Sequence, residues 1–238
     1  MNNYLMNTIG WNVSNSVKVL VTKKNFLNRK NFNLAISNNS YERTKENIKM
    51  LCDSCLPSQP IFIKQAHGKK IINLNKNPLS CVGDGIITSN KNQVISVLTA
   101  DCMPIIISSI GGEVVCILHV GRKGAQFNII NNAFKILNKY KYEYEAWIGP
   151  SITKDYYLVD SEIKNSFLDL DSQYSSFFSK YNNMYKMDLV GIATFQLSSN
   201  KIKNIFFSNL CTVKNNDEFF SHRKNNDNGR FGTFVWIE

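Results

Sequence analysis

The stretch that decides the fold is residues 102–119, which read CMPIIISSIGGEVVCILH. Two apolar runs flank Gly111 and Gly112, and glycine favours tight turns because it accepts positive φ angles at little steric cost. Two apolar runs separated by such a turn signal are typical of paired antiparallel strands. The stretch therefore predicts a β-hairpin.

The position of the turn also predicts which residues face each other across the hairpin. If the turn centres on the two glycines, His119 lies opposite Pro104. Cys102 shares a sheet face with Pro104, because side chains alternate with a period of two, and it lies one diagonal step from His119. Diagonal neighbours are about 7 to 8 Å apart at the backbone, which allows both side chains to reach one metal ion. A slip of one residue would put them on opposite faces.

A second histidine occupies a similar position to His119. The chain has three histidines, and His67 in QAHGKK follows the apolar run PIFIK, just as His119 in HVGRKG ends its own run. Loops at the edge of a rigid sheet often carry functional residues. Together with Cys102, the two histidines predict a zinc site, and Asp101 beside the cysteine is expected to accept a hydrogen bond from a ligand imidazole.

Other apolar runs predict strands and helices around this hairpin. Strand-like runs occupy residues 17–21, 60–64, 93–98, 104–108, 113–119, 145–149, 204–207 and 233–237. Helical spacing is found at Phe127, Ile130, Phe134 and Leu137, at Leu189, Ile192, Ala193, Gln196 and Leu197 after Asp188, over about residues 42–52, and after Asp160 and Ser161. Strands grouped together with interspersed helices indicate an α+β fold, in which one domain spans residues 1–238 and mixed β-sheets are flanked by helices.

The composition is that of a globular intracellular protein. Hydrophobic residues make up 43% of the chain, and no stretch approaches the roughly 18 apolar residues of a membrane span. Residues 1–16 lack the basic start and apolar run of a secretory signal, and the six cysteines are too scattered for a disulfide scaffold. We therefore expect a cytoplasmic protein with reduced thiols. The net charge of +10 is spread without a dense basic block, so nucleic acid is not an expected partner.

Seven short motifs, in order, resemble those of a known family. They are KQAHG, GDGIITSN, LTADCMPI, HVGRKG, IGPSI, LCTVKNNDEFFSHRK and NGRFG. The chain resembles the YfiH-type family, once called multicopper polyphenol oxidases or laccase-domain proteins, from about Asn33 to the C-terminus. The resemblance implies a zinc-dependent purine nucleoside phosphorylase with adenosine deaminase activity. It also implies that His67, Cys102 and His119 are the catalytic metal ligands, which leaves the fourth zinc position open.

The resemblance further implies how the site works and where this chain departs from the family. Attack of water on C6 of adenosine or of phosphate on the ribose C1′ is expected, with purine nucleosides and phosphate as ligands. Side chains expected to contact substrate or phosphate are Lys123, Arg223, Lys224 and Arg230, with Asp84 as a general base or a turn residue and His222 as a further contact. The family usually has Trp and Arg where this chain has Arg122 and Lys123, and often Cys where it has Ser151.

Four other functions remain open at this point. A copper oxidase acting on phenols would need more imidazoles than three histidines supply, so zinc is expected rather than copper. A cysteine hydrolase with Cys102 as nucleophile and His119 as base requires the same proximity as the metal site. The others are a binding protein without catalytic activity and, by the resemblance, an enzyme that edits cell-wall precursors. The oligomeric state does not follow from the sequence.

Overall fold

Short strands occur in groups along the chain, with helices between the groups. The computed structural model describes residues 11, 13–35, 41–76 and 81–238. Its strands are β1 (Val17–Val21), β2 (Asn25–Phe26), β3 (Arg29–Lys30), β4 (Ile71–Asn73), β5 (Gly85–Thr88), β6 (Ile95–Thr99), β7 (Met103–Ser109), β8 (Val115–Val120), β9 (Tyr144–Ile148), β10 (Leu158–Val159), β11 (Phe178–Tyr181), β12 (Met184–Met187), β13 (Ile205–Phe207) and β14 (Phe231–Ile237). Its α-helices are α1 (Tyr41–Ser54), α2 (Arg122–Gln126), α3 (Ile129–Leu137), α4 (Ser161–Leu168), α5 (Leu189–Ser199) and α6 (His222–Asn225).

The hairpin of β7 and β8 lies at the centre of the largest sheet. This mixed sheet has the order β13-β9-β7-β8-β5-β4, with β13 parallel to β9 and β4 parallel to β5. A second sheet has the antiparallel order β1-β14-β6, and a third, smaller one has the order β10-β12-β11. The mixed sheets and the helices that flank them match the predicted α+β class.

The predicted register of the hairpin is confirmed. Pro104 pairs with His119, and the ladder continues to Ser108 and Val115. Gly112 lies at φ +79°, and its amide donates to the carbonyl of Ser109 at 2.9 Å, which closes the turn. Glycine is required there because other residues are strained at positive φ.

The large sheet is covered on both faces. Ile105 and Ile107 of β7 face a core that contains Phe134 of α3 and Ile192 of α5. Ile106, between them, faces the opposite core, which the β1-β14-β6 sheet closes. The far side of that sheet packs against α1, so the layers run helices, large sheet, small sheet, helix. Burial on both faces explains why β7 and β8 read as continuous apolar runs rather than as alternating patterns.

Two of the predicted elements differ from the structure, and several short strands were not predicted. Residues 60–64 form isolated bridges at Ile61 and Lys64 instead of a strand. Strand β5 was not predicted, because its four residues, within the motif GDGIITSN, contain only two consecutive large apolar residues. The predicted helix from Phe127 begins instead at Ile129 as α3, and Phe127, which is 49% exposed, lies outside it. The side chain of Asn128 caps α3, and the backbone of Asn128 has the left-handed conformation.

Helices α4 and α5 begin close to where the sequence analysis predicted, directly after their capping residues. Asp160 caps α4 through a bond from the amide of Ile163, and Asp188 caps α5 through the amide of Gly191. Among the helices of the described ranges, none combines the length and apolarity of a bilayer span. The signal-peptide prediction falls mainly on residues 1–10, which lie outside the described part, and the single-domain prediction for residues 1–238 stays a prediction.

Candidate metal centre

The three predicted metal ligands lie together at one end of the large sheet. Cys102 directly precedes β7, and His119 is the second-to-last residue of β8. His67 lies in the loop before β4. Their ligand atoms are all within 4.8 Å of one another, and the two imidazole rings meet edge to face at 4.7 Å between centroids. Within the described residues this is the one group of His, Cys, Asp or Glu side chains with metal-ligand spacing.

Asp84 forms hydrogen bonds with both histidines of the cluster. Its Oδ2 accepts the amides of Gly68 and Ala66 at 2.7 and 3.2 Å, and its Oδ1 accepts the amide of His67 at 2.9 Å. Oδ1 also lies 2.9 Å from Nδ1 of His119. An ionised carboxylate only accepts, so Nδ1 carries the proton and Nε2 keeps its lone pair for a metal.

The hydrogen bonds of Asp84 agree with the turn interpretation. The carboxylate is fully buried and is not among the residues that line the cavity. Burial raises its pKa, but hydrogen bonds from His119 and Gly68 outweigh burial, and the pKa lies below its usual value. The role of Asp84 as a substrate contact or general base stays a prediction. His67 lies at φ +56°, and the three amide bonds to Asp84 hold that strained turn in place.

Asp101 does not accept a hydrogen bond from a ligand imidazole, contrary to the prediction. Its Oδ1 accepts the hydroxyl of Thr212 at 2.6 Å, and its Oδ2 accepts the amide of Arg223 at 2.7 Å. Its backbone lies at φ +82°, which turns the side chain away from His119. The residue instead anchors the segment that contains Arg223 next to Cys102.

The pKa values of Cys102 and His119 are shifted in opposite directions. Burial raises the pKa of the Cys102 thiol, but the charge and hydrogen bond of His119, followed by those of His67, outweigh burial and bring it to about 6. Burial lowers the pKa of His119, whereas the charge of Cys102 and the bond to Asp84 raise it to about 9. These interactions favour a thiolate at Cys102 and a protonated imidazole at His119 when no metal is bound. A divalent cation would replace that proton, because metal ligands must be deprotonated.

The donor set fits zinc. A tetrahedral ion with sulfur at about 2.3 Å and nitrogen at about 2.0 Å separates its ligand atoms by roughly 3.3 to 3.6 Å. The observed spacing of up to 4.8 Å requires a contraction of roughly 1.2 to 1.5 Å at most. Two imidazoles and a thiolate are favoured by zinc, and three protein ligands leave a position for a substrate or water.

The absence of a side chain at Gly121 makes room for the cluster. A Cβ on this residue would lie 2.8 Å from Sγ of Cys102 and 3.5 Å from Cδ2 of His67. Real Cβ atoms do not come that close to a sulfur, so the thiol would have to move. Gly124, one turn along α2, has no such contact, since a Cβ there would meet nothing nearer than 3.5 Å.

We expect Gly121→Ala to weaken zinc binding by about tenfold or more, because it pushes Sγ of Cys102 out of the ligand position. Gly124→Ala is the matched control, and it should leave the affinity unchanged. Competition with a chromophoric chelator measures both affinities. Equal zinc affinities for the two variants would contradict the packing argument.

An open cavity of about 1220 Å³ lies over the cluster. Of the predicted substrate contacts, Arg223, Arg230 and His222 line it, along with all three metal ligands. Lys123 and Lys224 are exposed and are not among the residues that line it, and their contact with phosphate stays a prediction. Successive residues of a helix diverge by about 100°, and in α2 it is Arg122 that faces the cavity. The sequence analysis noticed Arg122 only as a departure from a family pattern.

Two of the three arginines that line the cavity, Arg223 and Arg230, donate to backbone carbonyls. Arg223 donates through Nη1 to the carbonyl of Leu158 at 3.0 Å, and its guanidinium carbon lies 5.0 Å from the centre of the Tyr157 ring. Arg230 donates to the carbonyls of Gly229 and Asp227 at 2.7 and 3.2 Å. Carbonyl partners leave the charges uncompensated, so both side chains remain available to an anion.

Comparison with known proteins identifies one matching family and several similar proteins. Residues 21–238 match the family described as "Multi-copper polyphenol oxidoreductase laccase". The chain is 32% identical over 199 residues to purine nucleoside phosphorylase RC0672 of Rickettsia conorii, with 81% of this chain and 82% of the relative covered. It is 28% identical over 198 residues to purine nucleoside phosphorylase YfiH of Shigella flexneri, with 82% of each chain covered.

The fold also matches a solved structure. The crystal structure of the Neisseria meningitidis protein NMB0706 superposes with a TM-score of 0.86 at 22% identity, and the match covers 96% of this chain and 97% of that one. At this identity the likeness concerns the fold alone.

Proposed function

This chain belongs to the YfiH-type family, described as multi-copper polyphenol oxidoreductase laccase, and from that membership we propose that it is a zinc-dependent purine nucleoside phosphorylase with adenosine deaminase activity. The observation that carries the proposal is the convergence of His67, Cys102 and His119 beneath a cavity with arginines on its walls. Relatives named purine nucleoside phosphorylase supply the substrate class.

In phosphorolysis an oxygen of phosphate forms a bond to the ribose C1′ as the bond from C1′ to N9 of the purine breaks. The electron pair of that bond goes to the base, which takes up a proton, and the products are free base and ribose 1-phosphate. Arg223 and Arg230 would neutralise the incoming phosphate and orient it. A bound zinc ion would supply Lewis-acid chemistry at the base of the cavity.

The second activity would use the same cavity. In deamination water adds at C6 of adenosine, and the amino group leaves as ammonia, which yields inosine. Asp84 contributes by fixing the tautomer and orientation of His119, whose bond at 2.9 Å leaves Nε2 directed to the cluster.

The multicopper alternative is disfavoured by the donor set. The whole chain has three histidines, and two of them belong to the cluster. Several copper ions would require more imidazole ligands than remain. All six cysteines are free thiols, which supports the further proposal of a reducing, cytoplasmic environment.

The direct test incubates zinc-loaded protein with adenosine, inosine and methylthioadenosine, with and without phosphate, and separates bases from nucleosides by chromatography. We expect free base only when phosphate is present, and inosine from adenosine in both conditions. Conversion of adenosine to inosine without any phosphorolysis would remove the phosphorylase assignment. Absence of turnover for all three nucleosides would favour a binding protein.

A further inference from the structure

Arg122 is a half-buried cation without a protein partner. Throughout the described part of the chain, no hydrogen bond, ion pair or aromatic ring engages its guanidinium, whereas Arg29 of similar burial pairs with Glu46. Arg122 follows Gly121, which packs against Cys102, so its side chain enters the cavity beside the metal ligands. Withdrawing a charge from water without a partner is costly, and an anion in the cavity would recover that cost.

Arg223 lines the same cavity. Its backbone amide is anchored on Asp101 and its Nη1 on the carbonyl of Leu158, and the guanidinium stacks over Tyr157. Burial raises the pKa of the Tyr157 hydroxyl, and the charges of both Arg122 and Arg223 oppose that rise. Arg122, Tyr157 and Arg223 all line the cavity, and the guanidinium carbon of Arg223 lies 5.0 Å from the centre of the Tyr157 ring.

The described residues of the cavity wall include more cationic than anionic side chains. Four cationic side chains line it, namely Lys64, Arg122, Arg223 and Arg230. Asp101 is the only carboxylate among the lining residues, and it already accepts hydrogen bonds from Thr212 and the amide of Arg223. A wall of this kind attracts and concentrates anions.

We propose that Arg122, Tyr157 and Arg223 form a subsite for a phosphate group next to the metal ligands, with Arg122 as a binding residue. Two planar guanidinium groups match the paired oxygens of a phosphate, and the phenol hydroxyl adds a third donor. The inference rests on the proposed function only in taking the cluster as the reaction centre. The phosphate group can come from inorganic phosphate or from a nucleoside monophosphate.

The test is isothermal titration of zinc-loaded protein with inorganic phosphate and, separately, with adenosine monophosphate. Arg122→Gln should weaken binding by about ten- to hundredfold, since it removes a charge-assisted and potentially bidentate contact. Arg223→Ala should weaken it to a similar extent, and Tyr157→Phe by a smaller factor, because the ring that supports Arg223 is kept. Lys123→Gln is the matched control, because it removes the same charge one residue away, outside the cavity.

Zinc content and melting temperature are measured for every variant, so that loss of phosphate binding is not confused with loss of the fold or of the metal. Saturable binding of inorganic phosphate that depends on Arg122 supports a subsite for free phosphate. Dependence on Arg122 for the monophosphate alone supports a subsite for a phosphorylated nucleoside. Equal losses for Arg122→Gln and Lys123→Gln, or no binding of either ligand at millimolar concentration, overturn the inference. Because no nucleoside turnover is measured, failure of the proposed reaction leaves this result standing.

Discussion

Replacing Cys102 with alanine is expected to abolish stoichiometric zinc binding and to lower nucleoside turnover by about a hundred- to thousandfold. The thiolate is the only anionic donor in the cluster, and the two remaining imidazoles form an incomplete site. A Lewis-acid metal contributes several kcal/mol to catalysis, and each 1.4 kcal/mol corresponds to about tenfold in rate. Elemental analysis of purified protein and initial rates with adenosine measure the two effects.

Cys81→Ala is the matched control, because this thiol is exposed and lies outside the cluster. It should retain both zinc and activity. Zinc-loaded wild-type protein also separates the metal enzyme from a cysteine hydrolase, since a metal-bound thiolate resists alkylation by iodoacetamide. Rapid alkylation of Cys102 in the zinc-loaded protein, together with full zinc content in Cys102→Ala, would contradict the metal assignment.

Asp84→Asn is expected to lower zinc affinity by about ten- to hundredfold and to destabilise the fold by about 3 kcal/mol. Each carboxylate oxygen accepts from N–H groups, Oδ1 from His67 and His119 and Oδ2 from Ala66 and Gly68. An asparagine must direct its own NH₂ group at one of these pairs of donors, whichever way the amide is turned. The melting temperature should fall by about 6 to 12 °C for a chain of this size.

Asp155→Asn provides the comparison for the loss of a carboxylate. Asp155 is exposed and pairs only with Lys186, so its replacement should change stability by less than about 1 kcal/mol. Thermal unfolding of the metal-free proteins isolates the structural effect, and chelator competition measures the metal effect. Equal melting temperatures for the two variants would show that Asp84 does not hold the His67 loop.

The clustering of His67, Cys102 and His119 was predictable because its signals are local. The glycine pair fixed the register of the hairpin, and that register placed Cys102 near His119. His67 was predicted from a glycine-containing turn after an apolar run, although that run proved to form bridges rather than a strand. The error was harmless because Asp84, rather than a strand, positions the loop.

The roles of the surrounding charges were not predictable in the same way. Asp84 and Asp101 both stand next to predicted elements, and the expected role as imidazole partner was given to the wrong one. Arg122 of α2 lines the cavity and Lys123 does not, and helix α2 itself was not predicted. Helix phase depends on where a helix begins, and boundaries are the least reliable part of any prediction from sequence.

The sequence by itself determined the hairpin, its register, the α+β class and the residue types able to hold a metal. These features depend on turn chemistry and on the alternation of side chains, which act between residues close together in the chain. Only the tertiary structure decided that Asp84 orients His119, that Asp101 anchors Arg223, and that Arg122 rather than Lys123 enters the cavity. Those contacts join segments that are distant along the chain, and the packing of the two sheets and their helices brings the segments together.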